Sequence, residues 1–139
     1  MSALSHVQQL AEIRSRLLNL LLNDNDLVDT LLGNPLQESA AEAEAHREQI
    51  DEIKQTLPLL HAADIADLLE ALPGEERLAL WSLIGNDRRG QVLVEVSESV
   101  WESLIEEMSD RDLLRAIEPL DIDEQAYLAR YLSDRKSGV

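Results

Sequence analysis

From Leu60 onward an apolar residue returns at every twelfth position: Leu60, Leu72, Ile84, Val96, Met108, Leu120 and Leu132. Each is followed by His61, Pro73, Gly85, Ser97, Ser109, Asp121 or Ser133, and all but His61 are cap or turn formers. Eight positions after the anchors runs a second apolar set, Leu68, Leu80, Val92, Leu104, Ala116 and Leu128. Nine after runs a third, Leu69, Trp81, Leu93, Ile105, Ile117 and Ala129. These pairs precede the next anchor by four and three residues, so all three share one helical face. The pattern predicts short helices joined by turns of about two or three residues, which makes consecutive helices antiparallel neighbours. Stacked hairpins of this kind bury one another's apolar faces and form a solenoid. The stretch from Gln91 to Val96 comes nearest to a strand, but its place in the beat makes it helix.

The first half has a different texture. Residues 3–23 carry Leu10, Ile13, Leu17 and Leu20 or Leu21 along one stripe, which predicts an amphipathic helix. Asn23, Asp24, Asn25 and Asp26 break it. Asp24 can cap a short helix bearing Leu27, Val28, Leu31 and Leu32, ended by Gly33, Asn34 and Pro35. Residues 36–56 are rich in Ala and Glu, with Ile50, Ile53 and Leu57 as the apolar stripe. This predicts a long, mostly exposed helix whose beginning, 37–45, has little to bury.

Composition sharpens the picture. The chain has 139 residues, 45% of them hydrophobic, enough for one domain with a core despite the many charges. Leu and Ala dominate and Phe is absent, which favours helix-on-helix packing. The absence of cysteine excludes disulfides and thiol chemistry. The net charge of −16, from 28 acidic and 12 basic residues, argues against nucleic acid and against an anionic membrane surface. It favours cations or a basic partner face. No stretch approaches the ~20 apolar residues of a membrane span, and residues 17–22 are interrupted by Asn19. The start has neither a basic region nor a signal-peptide core. Direct insertion of this segment into a membrane is not expected.

Catalytic chemistry finds little support. His6, His46 and His61 stand in no metal-ligand spacing and near no nucleophile elbow, and His61 reads as a capping or packing residue. The glycines make no phosphate loop, and no calcium loop is present. What remains is carboxylate density: Asp64, Asp67 and Glu70; Glu102, Glu106 and Glu107; Asp110 and Asp112; Asp121, Asp123 and Glu124. Carboxylates three or four apart on a helix repel, and a divalent cation relieves that. Mg2+ prefers oxygen ligands, keeps several waters and takes one or two carboxylates from any one surface. Such sites are weak and work best where two acidic faces meet. A solvated acidic face with diffuse counterions is the plain alternative.

One segment is more specific. His61, Asp64, the Leu68–Leu69 pair, then Leu72, Pro73, Glu75, Glu76 and Arg77 resemble the opening of the cytosolic N-terminal domain of MgtE-type magnesium transporters. The pattern there is His-Pro-x-Asp, a Leu-Leu run, then Leu-Pro-x-Glu-Glu-Arg, and here Ala62 replaces the first proline. The resemblance covers about residues 57–135. It implies a helical domain preceding a pair of CBS domains and a membrane pore that conducts Mg2+. Ions would bind between acidic faces of the N domain and the CBS domains when intracellular Mg2+ is high and hold the pore shut, a population shift driven by cation binding. Of the family's ligand positions, one acid falls on Asp123, the acid one turn further falls on Tyr127, and a glutamate position falls on Gln91, a neutral oxygen ligand. Asp121, Glu124 and Glu95 stand close enough in sequence to substitute.

The expected fold is therefore all-α: a right-handed superhelical solenoid of short antiparallel helix pairs in twelve-residue units, preceded by an N-terminal helical extension. The expected divisions are 1–56 for the extension, 57–136 for the repeat domain and 137–139 for the start of a linker or an artificial end. The expected function is regulatory rather than enzymatic, with weakly bound Mg2+ as the ion and Asp123, Asp121, Glu124 and Glu95 as its ligands. The expected partners are the CBS domains and pore of one full-length protein, a homodimer, with this part on the cytoplasmic side of the cell membrane. The rival reading is a helical-repeat interaction module, akin to armadillo-like or flagellar-motor-switch proteins, that binds a basic partner.

Overall fold

The computed structural model describes residues 3–34 and 37–137, and side chains over 7–34 and 37–130. Among these, every regular element is helical: nine α-helices and one 3-10 turn. Pro35 and Leu36, the side chain of the last anchor, Leu132, and the expected linker residues Gly138 and Val139 lie outside the described residues. The chain divides into two compact units between Ile84 and Gly85.

The first unit holds α1 (Ala3–Asn23), α2 (Asn25–Leu32), α3 (Ala40–Thr56), a 3-10 turn (Leu57–Leu59), α4 (Ala62–Ala71) and α5 (Gly74–Ser82). The stripe of α1 resolves onto Leu17 and Leu21, both buried, while Leu20 is half-buried. Asp24 caps α2 by accepting the Leu27 N–H at 3.0 Å, and Leu27 and Val28 enter the core. Gly33 closes α2 at φ 78°, the left-handed conformation glycine adopts without strain, and its N–H reaches the carbonyls of Asp29 and Thr30. α3 begins at Ala40 rather than at residue 36, because the Ser39 hydroxyl accepts the Glu42 N–H at 3.2 Å and fixes the helix start there. As expected, the residues opening α3 bury little. α1 packs on α2, α4 and α5, and α2 packs on α5.

One feature of this unit has no trace in the local pattern. His46 on α3 is 8% exposed and stands between two carboxylates, with Nδ1 2.8 Å from Glu38 Oε2 and Nε2 3.7 Å from Asp24 Oδ2. It ties the segment before α3 to the break between α1 and α2. His61 occupies the N-cap position of α4, and its backbone N–H donates to Asp64 at 3.1 Å.

The second unit holds α6 (Asn86–Glu95), α7 (Glu98–Glu106), α8 (Asp110–Ile117) and α9 (Ile122–Ser137). The stretch from Gln91 is helical through Glu95, as its place in the beat requires. α6 packs closely on α8, and Gly90 permits it: a Cβ there would run into the carbonyl of Ala116. Ser109 caps α8 by accepting the Asp112 N–H at 3.1 Å.

Across 60–128 the burial follows the apolar sets. Leu60, Leu72, Ile84, Val96, Met108 and Leu120 are all buried, and so are Leu68, Leu80, Val92, Leu104, Ala116 and Leu128. In the third set Leu69, Trp81, Leu93 and Ile105 are buried, while Ile117 is half-buried and Ala129 exposed. The six helices from α4 to α9 begin at Ala62, Gly74, Asn86, Glu98, Asp110 and Ile122, each two residues past an anchor. Among the described residues no helix is long and apolar enough to cross a membrane.

Candidate cation-binding surface

Asp121 follows the anchor Leu120 and precedes the first residue of α9, which is where a helix leaves backbone N–H groups without internal partners. Asp121 Oδ1 accepts the Glu124 N–H at 2.8 Å, and Glu124 Oε1 accepts the Asp121 N–H at 3.4 Å. This is a reciprocal capping box with acids in both roles. It fixes the Glu124 side chain back over the helix start and toward α6. There Gln91 donates its amide to both carboxylate oxygens, at 3.0 Å and 3.1 Å. A carboxylate cannot donate, so the nitrogen of Gln91 must face it. Gln91 is thus a donor to an acid here, whereas the sequence suggested an oxygen ligand.

Two of the four expected ligands, Asp121 and Glu124, are therefore brought together, and Gln91 joins them. Asp123 is exposed in the first turn of α9, and Glu95 is exposed one turn beyond Gln91 on α6. Tyr127 is 41% exposed and borders a small crevice with Val96, Glu98 and Trp101. The positive end of the α9 dipole stabilises the carboxylates at its start and opposes a cation placed there. Any ion held by Asp121 and Asp123 works against that partial charge, which makes the surface weakly binding by itself.

Elsewhere the acids have other work or face solvent. Asp64 takes the His61 N–H and pairs with Arg14 of α1 at 3.4 Å. Asp112 accepts the Asn86 amide at 3.4 Å and stands beside Arg89, whose guanidinium burial pushes below its ordinary range and Asp112 pulls back up. Glu102, Glu106 and Glu107 are exposed. Among the described residues no three His, Cys, Asp or Glu side chains converge to hold a metal. The oxygen donors suit Mg2+ in kind, but they make an open surface rather than a closed site.

The capping box at α9 was legible from Asp121 and Glu124 alone, three residues apart at a helix start. The part played by Gln91 was not, because its partner lies 33 residues away. Comparison with curated proteins and with solved structures found no match. Comparison with family models found one, described as the MgtE intracellular N domain and matching residues 60–138. That family is an intracellular part of magnesium transporters and not a family of enzymes, and the match covers more than half of the 139 residues. The chain belongs to the MgtE intracellular N domain family.

Proposed function

We propose that this chain is the Mg2+-sensing regulatory part of a magnesium transporter, on the cytoplasmic side of the membrane. The observation that carries this reading is the exposed pair Asp121 and Asp123 at the start of α9, in a family member with a net charge of −16. Asp121 and Asp123 offer oxygen donors from one side only, and Glu95 adds a third exposed carboxylate on α6. A half-built site of this kind is what a shared site requires: a second acidic face, from the CBS domains of the same protein, supplies the rest. Without the ion the two faces repel, and with it they close, so ion binding shifts the population toward the shut pore. The unit that repeats every twelve residues as a superhelical solenoid belongs to the same reading, supported by the regular helix starts and by the burial of the anchors.

The test is a Mg2+ titration followed by NMR, on the chain alone and with the CBS pair of the parent transporter added, against NaCl of equal ionic strength. Saturable shifts at Asp121 and Asp123 that NaCl does not reproduce, and that tighten when the CBS pair is present, are expected. Their loss in Asp123→Asn is expected as well. Uniform shifts that NaCl reproduces in both samples would sink the reading. Association with the CBS pair that survives EDTA unchanged would instead favour ion-independent protein recognition.

A further inference from the structure

We infer that Gln91 holds, by hydrogen bonding, the place between α6 and α9 that a cation would otherwise take, and so withholds Glu124 from cation binding. The inference rests on the proposed sensing role for what the remaining acids do, but its structural core stands on α6 and α9 alone. Gln91 lies in the middle of α6, and one amide nitrogen reaches both Glu124 oxygens at 3.0 Å and 3.1 Å. Glu124 Oε1 also takes the Asp121 N–H at 3.4 Å. A carboxylate so engaged must shed both donors before it can ligate a metal, losing the capping interaction at the same time. Asp123, by contrast, is exposed.

The charge count points the same way. Gln91 is neutral, so the Gln91–Glu124 pair carries a single negative charge and holds together without help. Had position 91 been a carboxylate, two negative groups would face each other across the same gap, and α6 and α9 would need a cation to stay joined there. Gln91 therefore decides which acids are open to an ion. It removes Glu124 from the set and leaves Asp123 and Asp121. It also makes the α6–α9 junction indifferent to Mg2+, which separates holding the unit together from sensing the ion.

The experiment compares the native chain with Gln91→Glu and Gln91→Ala, by thermal unfolding and by NMR, in EDTA, in Mg2+ and in NaCl of matched ionic strength. In the native chain the amides of Asp121 and Asp123 should shift with Mg2+ while the side-chain NH2 of Gln91 stays in place. Gln91→Glu should melt below the native chain in EDTA and recover with Mg2+ but not with matched NaCl. Gln91→Ala loses the bond without adding charge, so its midpoint should be equal in EDTA plus matched NaCl and in Mg2+. The inference is overturned if the Gln91 NH2 resonances move in step with Asp123, if Gln91→Glu melts like the native chain in EDTA, or if Gln91→Ala shows the same Mg2+ rescue as Gln91→Glu. A native chain with no saturable shifts, beside a Mg2+-rescued Gln91→Glu, would leave this inference standing and remove the sensing role.

Discussion

A methyl group added at Gly90 has nowhere to go, because the carbonyl of Ala116 occupies the space. Gly90→Ala gains helix propensity and still loses stability, by ~1–3 kcal/mol through overpacking, measurable as a lower denaturation midpoint. At His46 the partners are charged. Glu38 and Asp24 both face the ring from mostly buried positions, with side-chain exposures of 17% and 29%. His46→Ala leaves two carboxylates with no ring between them and should cost ~1–3 kcal/mol by chemical denaturation. Neither residue announced itself in the sequence. Gly90 stood among scattered glycines, and His46 was one histidine of three with no motif around it. Their importance comes from what packing brings to them: a carbonyl on α8 in one case, two distant acids in the other. Leu69, Leu80 and Leu104 were the reverse case, since periodicity alone put them inside and all three are fully buried.

At the level of helices, caps decide where elements begin, and most of them could be read directly. Asp24 and Ser109 each accept the N–H three residues on, as their positions in the chain suggested. Asp24→Ala should weaken the first unit by ~1 kcal/mol in denaturant unfolding. The start of α9 permits a cleaner separation, because Asn caps as well as Asp does. Asp121→Asn should keep the midpoint within ~0.5 kcal/mol of the native chain while weakening any Mg2+ response at Asp123. Asp121→Ala should lower both. Equal ion responses in Asp121→Asn and the native chain would mean that Asp121 caps α9 and does nothing more. The start of α3 was misjudged by four residues, because the helical composition of the stretch outweighed the single serine that stops it. The link between Gln91 and Glu124 had no local signal at all, since it joins helices with two others between them.

For the chain as a whole, a net charge of −16 is itself a force on the fold. Raising NaCl from about 10 to about 300 mM screens that repulsion and should lift the melting midpoint by ~3–5 °C, with Mg2+ doing so at lower concentration. A midpoint that does not move with salt would show that the acids are already balanced locally. Family and helical class were legible because they reside in spacing and in one short motif. The ion site was only half legible, since its remaining ligands would come from a surface that these residues do not supply. There is a last consequence in how helix ends are finished. Arg77 of α5 donates to the carbonyl of Leu69 near the end of α4, and Gln125 of α9 donates to the carbonyls of Ile117 and Glu118 at the end of α8. Each earlier helix is completed by a side chain that follows it in the chain. A cut between α4 and α5, or between α8 and α9, would strand open carbonyls and loosen the helix left behind. A cut between Ile84 and Gly85 strands neither pair, so that is where the polypeptide can be split, extended or grafted with least injury.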